Sequence, residues 1–285
     1  MIKRLVECGD NLEIMRGLPD GAVDLIYTDP PFGTGKRRRL DSIRTGEGDQ
    51  VRTGFGDRRY PFEVVSTIEY RDDLPFNEYL GFLEIRLREM RRVLSPRGSL
   101  YLHLDHHAVH YARIILDEVF GPERFLNEII WAYDYGGRHR DRWPRKHDSI
   151  LWYAKGDSWT FNRDEIDRIP YMAPGLVGPA KAARGKLPTD VWWMTIVPTN
   201  SAERTGYPTQ KPLGLARRII SASSNSGDLV ADFFCGSGTV GVAAQELDRR
   251  YLLVDSSAEA VAITKARLAT TGDSTDKHPG GRGTG

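Results

Sequence analysis

The interpretation of this chain begins at the stretch Ala22-Val23-Asp24-Leu25-Ile26-Tyr27-Thr28-Asp29-Pro30-Pro31-Phe32. A run of apolar and β-branched residues that ends in an acid and two prolines predicts a buried strand ending at Asp29. Ligands bind at the carboxyl ends of the strands in an open α/β sheet, and the prolines restrict the backbone that follows Asp29. The pattern therefore indicates a functional carboxylate. The alternative is an ordinary turn acid where the strand leaves the sheet.

Upstream of this stretch, the sequence predicts a short strand over 3–7 and a helix over 11–18 with Leu12 and Met15 facing inward. Pro19-Asp20-Gly21 ends the helix. Strand, helix and strand form a βαβ unit, which implies parallel pairing and a right-handed crossover.

The composition is that of a globular protein. Hydrophobic residues make up 40% of the 285 residues and charged residues 28%, with a net charge of +1. The two cysteines, Cys8 and Cys235, exclude a disulfide framework and a zinc site built from several cysteines. No apolar run approaches the roughly 20 residues that span a bilayer, and the first residues lack the apolar core of a signal peptide. We therefore expect a cytoplasmic protein without membrane contact.

A basic stretch with little periodicity follows Phe32 and extends to about residue 75. Eight basic and four acidic residues lie between Lys36 and Arg59. A loop of this length in a compact domain is usually functional or disordered. Its place directly after the candidate catalytic strand favours a mobile arm that contacts nucleic acid, and the alternative is a solvated loop. The candidate DNA contacts in this arm are Lys36, Arg37, Arg38 and Arg39.

The next part of the chain predicts a helix over 77–94, a buried strand over 99–104 and a helix over 108–120. The strand ends at Asp105-His106-His107, which contains residue types that bind metals. A pair of histidines without further ligands at a suitable spacing is a weak signal, so we predict no metal site.

A basic segment joins two predicted strands, 126–133 and 149–154. All six tryptophans lie between Trp131 and Trp193. Basic side chains interleaved with flat aromatic rings are typical of nucleic-acid surfaces. We expect Trp131, Trp152 and Trp192 in the core and Trp143 in contact with DNA. The candidate DNA contacts in this segment are Arg138, Arg140, Arg142, Trp143, Arg145 and Lys146.

The last third of the chain predicts a helix over 213–223, a strand over 228–234, a helix over 239–247, a strand over 251–254 and a helix to about 268. Gly236 and Gly238 let the backbone after the first of these strands turn tightly against a ligand. Asp255, at the tip of the next strand, suits the two hydroxyls of a ribose. The pattern indicates a nucleoside cofactor.

This glycine loop also satisfies Gly-x-Gly-x-x-Gly through Gly241, so a nicotinamide dehydrogenase is an alternative. Against it, the loop follows Asp232-Phe233-Phe234, an acid and two aromatic residues, and lies near the end of the chain. A dehydrogenase would also leave the Asp-Pro-Pro-Phe stretch and the basic segments unexplained.

Three motifs together resemble the circularly permuted β group of amino-directed DNA methyltransferases that use S-adenosylmethionine. The motifs are Asp29-Pro30-Pro31-Phe32, Thr209-Gln210-Lys211-Pro212 and 232–239, which reads Asp-Phe-Phe-Cys-Gly-Ser-Gly-Thr. They occur in the order of that group, and the resemblance covers most of 1–130 and 205–268.

The resemblance implies an α/β fold with a Rossmann-like, mixed but mostly parallel seven-stranded sheet, helices on both faces and an inserted target-recognition region. It divides the chain into a catalytic part, 1–133, with the mobile basic loop 33–75, and a target-recognition insertion, 134–205. The cofactor-binding part is 206–269, and 270–285 is expected to be a disordered tail.

The implied reaction moves a methyl group from S-adenosylmethionine to the exocyclic amino group of a base swung out of double-stranded DNA. The catalytic residues would be Asp29, Pro30, Pro31 and Phe32. Asp10 would meet the cofactor adenine, Asp255 its ribose and 234–238 its methionine part, with Lys211 on the cofactor side. The full set of candidate cofactor residues is Asp10, Asp29, Lys211, Asp232, Phe234, Cys235, Gly236, Ser237, Gly238, Thr239 and Asp255.

The target base is adenine N6 or cytosine N4, and Asp at the first motif position favours adenine in this family. Methylation at cytosine C5 needs a cysteine after a proline, which neither Cys8 nor Cys235 provides. A catalytically silent DNA-binding protein is a more distant alternative. The family further implies a possible homodimer, a possible partner restriction endonuclease and association with the nucleoid.

Overall fold

The structure is a computed structural model that describes residues 4–32, 36–53, 59–72, 74–137 and 139–275. Ten strands and seven helices occur in these residues. The strands are β1 (Arg4–Cys8), β2 (Val23–Thr28), β3 (Lys36–Thr53), β4 (Arg59–Asp72), β5 (Leu94–Leu104), β6 (Phe125–Ala132), β7 (His147–Ala154), β8 (Val191–Trp193), β9 (Leu229–Asp232) and β10 (Arg250–Asp255). The helices are α1 (Asn11–Arg16), α2 (Phe76–Val93), α3 (Val109–Phe120), α4 (Pro179–Arg184), α5 (Leu213–Ser223), α6 (Thr239–Glu246) and α7 (Ala258–Thr275).

Eight strands form one sheet in the order β1-β10-β9-β2-β5-β7-β6-β8. The pairs from β1 to β5 are parallel, β7 is antiparallel to both β5 and β6, and β8 is parallel to β6. Every strand of the sheet except β7 therefore runs in the same direction. Their carboxyl ends meet at a single edge, where ligands bind in folds of this kind.

Helices cover both faces of the sheet because successive side chains of a strand point to opposite sides. Leu25 and Tyr27 belong to the core beneath α5 and α6, whereas Ile26 belongs to the core beneath α2 and α3. Both cores are closed by apolar residues of the helices, such as Leu83 of α2 and Ile219 of α5. The predicted α/β, mostly parallel, Rossmann-like architecture is confirmed.

The sheet has eight strands and not the predicted seven. The additional strand is β8, which is three residues long and lies at the edge of the sheet beside β6. Three residues are too few to show a period, and this strand follows a stretch rich in proline, glycine and alanine. The stretch itself contains short 3-10 turns at Arg163–Glu165 and Pro174–Leu176 as well as α4.

The predicted basic loop 33–75 contains two long strands. Lys36 of β3 pairs with Asp72 of β4, and the antiparallel pairing continues to Thr53 and Arg59. The two strands form a separate sheet. The sequence of β3 is basic and shows no apolar alternation. In β4, Tyr60, Phe62, Val64, Ile68 and Tyr70 occupy even positions between mostly polar residues, which is a strand signal that the prediction of a loop overlooked.

The target-recognition insertion predicted over 134–205 contains β7 and β8, which belong to the main sheet. Its segments outside the sheet are 134–146, 155–190 and 194–205. Helix α7 continues to Thr275, so 270–275 are helical where a disordered tail was expected. Residues 276–285 lie outside the described residues.

Among the helices of the described ranges, none combines the length and the apolar character that crossing a lipid bilayer requires.

Side chains tie β2 to β9 at both ends of their pairing. The Asp24 carboxylate accepts a hydrogen bond from the Leu229 backbone N–H at 2.9 Å, and the Thr28 hydroxyl donates to Asp232 Oδ1 at 2.8 Å. Burial raises the pKa of Asp232 to about 7, the charges of Asp29 and Asp255 act in the same direction, and hydrogen bonds from Phe234 N–H and Thr28 oppose them. The carboxyl group thus keeps its proton in the fold at pH values where it is ionised in the unfolded chain.

This proton predicts a pH-dependent stability. The folded pKa lies above the ordinary value of 3.8, so the stabilising contribution is complete below about pH 4 and is lost as the pH rises to about 7. Asp232→Asn keeps an acceptor oxygen for Thr28 and Phe234 and has no proton to lose. The difference in the free energy of unfolding between variant and wild type, taken from thermal melts at each pH, should grow from pH 4 to 7 and then stay constant, with an upper bound of about 4 kcal/mol. A difference that does not change with pH would contradict this assignment.

Candidate functional site

The carboxyl ends of β2, β9 and β10 lie side by side and open into one cavity of about 590 Å³. Ten residues of the predicted site line it: Asp29, Pro31, Lys211, Asp232, Phe234, Cys235, Gly236, Ser237, Thr239 and Asp255. Nine further residues complete the wall: Tyr27, Thr28, Leu74, Phe82, Tyr207, Thr209, Val240, Ser256 and Ser257. The structure thus brings the first and third motifs to a common cavity, although some 200 residues separate them along the chain.

Side chains of α7 contact the glycine turn that follows β9. Gly236 and Gly238 have φ angles of 49° and 74°, which residues other than glycine rarely adopt. A Cβ atom at Gly238 would lie 2.6 Å from Thr264 Cγ2, and the Thr264 hydroxyl donates to the Gly236 carbonyl at 2.9 Å. Arg267 donates to the Ser237 carbonyl at 3.2 Å. The turn is therefore a fixed wall of the cavity.

Asp255 closes the cavity on the side of β10. Its Oδ2 accepts the Gly236 N–H and its Oδ1 accepts the Ser257 N–H, both at 2.9 Å. Burial raises the pKa of this carboxyl group, and the backbone hydrogen bonds counteract the rise. Each carboxylate oxygen has a second lone pair, so Asp255 can still accept hydrogen bonds from a ligand.

Asp29 forms an ion pair with Lys211 across the cavity. Both side chains are mostly buried, with 19% and 13% of their surfaces exposed. Lys211 Nζ contacts Asp29 Oδ2, whereas Oδ1 is buried and has no hydrogen-bond partner in the described part of the chain. The Thr239 hydroxyl donates to the Lys211 carbonyl at 3.1 Å and anchors its backbone. Lys211 Nζ also lies 5.6 Å from the ring centroid of Phe32.

The sequence placed Lys211 with the cofactor residues, and in the structure it lines the cavity and also contacts Asp29. It therefore connects the second motif to the first. The spacing of the motifs along the chain gives no sign of this contact, because it depends on how the segment before α5 crosses the sheet edge.

Four predicted site residues lie outside the cavity wall. Asp10 caps α1 by accepting the Leu12 N–H at 2.9 Å and pairs with Arg86 at 2.9 Å. Pro30 is buried, Phe32 is half-buried against the core beneath α2, and Gly238 lies behind the turn against Thr264. The contact of Asp10 with a cofactor adenine stays a prediction.

Four polar side chains, two of them buried and two partly buried, form consecutive contacts beside the cavity, and the sequence analysis did not identify them. Tyr27 Oη and His103 Nδ1 are 3.2 Å apart, and His103 Nε2 donates to Asp148 Oδ2 at 3.3 Å. The Tyr133 hydroxyl donates to the other oxygen of Asp148 at 3.1 Å. His103 is fully buried. The one available signal was a histidine between two leucines of a core strand, a position that usually holds an apolar residue.

The basic segment between β6 and β7 starts and ends at the same sheet edge as the cavity. Arg140, Arg142 and Arg145 are exposed, Trp143 is 92% exposed, and Lys146 is half-buried and donates to the Gly136 carbonyl at 2.9 Å. Arg138 lies outside the described residues. So do the side chains of Lys36, Arg37, Arg38 and Arg39, whose backbone forms the start of β3.

The other tryptophans separate into core and surface. Trp131, Trp152 and Trp192 are buried, as expected. Trp193 was not singled out in the sequence, and its ring is 74% exposed at the last position of β8. Because β8 runs parallel to β6, this ring also lies at the edge of the sheet that carries the cavity. Alternation along a strand explains why Trp192 points inward and Trp193 outward.

Asp105, His106 and His107 lie together after β5, with one potential ligand atom from each within 4.8 Å of the others. His107 Nδ1 donates to Asp105 Oδ2 at 2.7 Å, which accounts for one side of this cluster. Burial and the charge of His107 lower the pKa of His106. The expectation of no metal site stays a prediction.

Comparison with known proteins bears on the three motifs. A family model described as a DNA methylase, of N6 and N4 type, matches residues 23–266. The Type II methyltransferase M.HpaI of Haemophilus parainfluenzae is 34% identical over 270 residues, which cover 94% of this chain and 74% of that protein. The family resemblance inferred from the motifs is confirmed.

Solved structures show the same fold. The complex of M1.HpyAVI with SAM has a TM-score of 0.60 and 22% identity, covering 94% of this chain and 99% of that one. The cytosine-N4-specific PvuII DNA methyltransferase has a TM-score of 0.65 and 16% identity, covering 96% and 92%. With a family model that spans most of its length and a relative 34% identical over nearly all of it, the chain belongs to the N6/N4 DNA methylase family.

Proposed function

We propose that this protein transfers a methyl group from S-adenosylmethionine to the exocyclic amino group of a base in double-stranded DNA, at N6 of adenine. One observation carries the proposal: Asp29 lines the same cavity as the glycine turn, and its Oδ1 is buried without a hydrogen-bond partner among the described residues. A buried acceptor without a partner is rare unless a ligand completes its hydrogen bonds.

Asp29 suits an amino group that is about to be methylated. The lone pair of an exocyclic amine is delocalised into the ring, so the nitrogen is a weak nucleophile. Asp29 Oδ1 and the Pro30 carbonyl would accept its two N–H bonds, which draws the nitrogen toward tetrahedral geometry and offsets the positive charge that develops on it. Lys211 holds Oδ2 and thereby fixes the orientation of the carboxylate.

The cavity also fits a nucleoside with a charged tail. Its volume lies in the usual range for small-ligand sites, and Asp255 offers carboxylate oxygens for the two hydroxyls of a ribose. Gly236 lines the cavity beside Tyr207, and a Cβ atom at Gly236 would lie 2.9 Å from the Tyr207 ring, so only glycine lets the turn and this ring share the wall. S-adenosylmethionine supplies the methyl group on a positively charged sulfonium, which the carboxyl groups of Asp29 and Asp255 in the cavity wall favour.

The amino group of a paired base cannot reach this cavity from within a duplex, so the base must leave the stack. Phe32 follows the Asp-Pro-Pro turn, its ring centroid lies 5.6 Å from Lys211 Nζ, and it would stack on the extruded base. The family usually has a tyrosine at the position of Phe32, and the missing hydroxyl does not affect the ability of the ring to stack.

The DNA would lie along the carboxyl edge of the sheet. This edge carries Asp29 at the end of β2, the exposed basic segment with Arg140, Arg142 and Trp143, and Trp193 at the end of β8. Three strands separate β2 from β8, so Asp29 and Trp193 are about 19 Å apart at roughly 4.8 Å per strand spacing. This span is shorter than one turn of B-DNA, which is about 34 Å.

Asp29, in place of serine at the head of the first motif, supports adenine as the target, and cytosine N4 is the alternative. We further assign catalysis to 1–133 and cofactor binding to 206–269. Within 134–205, we assign target recognition to the parts at the carboxyl edge of the sheet, which are 134–146 and the end of β8. A homodimer, a partner restriction endonuclease and action at the nucleoid are expectations from the family.

The direct test incubates the protein with unmethylated plasmid DNA and S-adenosylmethionine and weighs the nucleosides after digestion. We expect N6-methyladenine, and N4-methylcytosine would overturn the choice of base. Asp29→Ala should lower the transfer rate by about a hundredfold to a thousandfold, because the amine loses its acceptor.

The control for this variant is Asp164→Ala, which removes an exposed acid from the turn that packs against the end of α5, away from the cavity, and should change nothing. S-adenosylhomocysteine should raise the melting temperature of wild type and of Asp29→Ala alike, and NAD should not. An active Asp29→Ala enzyme would contradict the mechanism, and stabilisation by NAD alone would contradict the cofactor.

The proposed DNA surface predicts a role for Trp193. Stacking of an aromatic ring on a base contributes about 1–3 kcal/mol, so Trp193→Ala should weaken plasmid binding by roughly tenfold to a hundredfold in a filter-binding assay. Trp159→Ala is the matched control, since Trp159 follows the end of the antiparallel β7 at the opposite edge of the sheet. Equal affinities of the two variants would exclude Trp193 from the DNA surface.

A further inference from the structure

The side chains of Tyr27 and His103, which are buried, and of Asp148 and Tyr133, which are partly buried, link four neighbouring strands or their ends. Tyr27 belongs to β2, His103 to β5 and Asp148 to β7, and Tyr133 follows directly after β6. The consecutive contacts measure 3.2, 3.3 and 3.1 Å. The chain of contacts begins two residues before Asp29. We call these four residues the polar chain.

In the polar chain, hydrogen-bond donors face the two oxygens of the Asp148 carboxylate. Burial acts to raise the pKa of Asp148, but the hydrogen bond and charge of His103, the charge of Lys211 and the hydrogen bond from Tyr133 bring it below its ordinary value. The pKa of Tyr27 is raised, mainly by burial and further by the charge of Asp29, so its hydroxyl keeps its proton. Asp148 is therefore a carboxylate that accepts a hydrogen bond on each oxygen.

The polar chain also closes the base of the basic segment. Tyr133 precedes this segment and Asp148 follows it, so the Tyr133–Asp148 hydrogen bond joins its two ends. The Tyr133 N–H donates to the Lys146 carbonyl at 2.9 Å, which makes a second link at the same place. Any displacement of the exposed residues 139–145 is therefore transmitted first to Tyr133 and Asp148.

We propose that Asp148, with Tyr133 and His103, is a positioning element that fixes Asp29 relative to the DNA-contacting basic segment. This inference rests on the proposed function and assigns a role to residues outside the catalytic motif. DNA bound by the basic segment would hold Asp148, and His103 and Tyr27 would in turn hold the tip of β2 that presents Asp29. None of the three acts on the substrate directly.

A structural role alone accounts poorly for this arrangement. The strands are already joined by backbone pairing, and apolar side chains of similar volume would fill the space without the desolvation penalty of a buried carboxylate. Elsewhere in the same sheet, the hydroxyl of Tyr153 donates to Asp117 at 2.6 Å at a distance from the cavity. Tyr153 thus offers a matched control for the loss of a single hydroxyl.

The test compares Tyr133→Phe, Asp148→Asn and Tyr153→Phe with wild type. A misplacement of the reacting groups by a fraction of an ångström to 1 Å slows transfer by roughly tenfold to a hundredfold. We expect this loss in the single-turnover rate of Tyr133→Phe and Asp148→Asn with plasmid DNA. The plasmid affinity and the thermal shift caused by S-adenosylhomocysteine should both stay within about twofold of the wild-type values. A general loss of structure would change both of these quantities.

Tyr153→Phe should lose a similar amount of thermal stability and keep the wild-type rate. The double variant of Tyr133 and Asp148 should be no slower than Asp148→Asn alone, because the two residues act in one contact. If all three single variants lose activity only in proportion to their stability, the polar chain is merely structural and the proposal is wrong. If the wild-type protein itself transfers no methyl group, the proposed function is wrong. This result differs from the case in which wild type is active and only the role of the polar chain is refuted.

Discussion

The pairing of β2 with β9 brings the two halves of the site together. Its ends are fixed by side chains, through Asp24 on the Leu229 N–H at one end and Thr28 on Asp232 at the other. Because the strands are parallel and in register, Asp29 and the turn at Gly236 emerge at the same level of the sheet edge. The cavity, the ion pair of Lys211 and the proposed transfer of a methyl group all depend on this adjacency.

The charges of the site follow from the same geometry. Three strand ends bring Asp29, Asp232 and Asp255 to one cavity with Lys211 as the neighbouring cation. Mutual repulsion and burial leave Asp232 protonated below about pH 7, while Lys211 pairs with Asp29. A cavity with this balance suits a positively charged cofactor and a reaction in which the attacking nitrogen becomes positive.

The sequence predicted the fold class, most core strands and helices and ten residues of the cavity wall, because these depend on local pattern and on the rule that ligands bind at strand ends. Four features were not predicted, and two of them depend on contacts between distant segments. The Lys211–Asp29 pair joins residues 182 positions apart, and Asp148 meets His103 across 45 positions. The strand β8 is too short to show a period, and the basic sequence of β3 hid a ribbon whose second strand, β4, does alternate. Trp193 could be recognised as exposed only once β8 and its alternation were known.

The most direct test of the shared site is a crystal structure of the protein with S-adenosylhomocysteine. The amino nitrogen of the target base would lie about 3 Å from Asp29 Oδ1, at hydrogen-bond distance, and about 5 Å from the cofactor sulfur. These two distances together limit how far the sulfur can lie from Oδ1. We predict the sulfur within roughly 8 Å of Asp29 Oδ1, with the ribose hydroxyls on Asp255. A ligand bound outside the cavity, or bound inside it with its sulfur turned away from Asp29, would contradict the account.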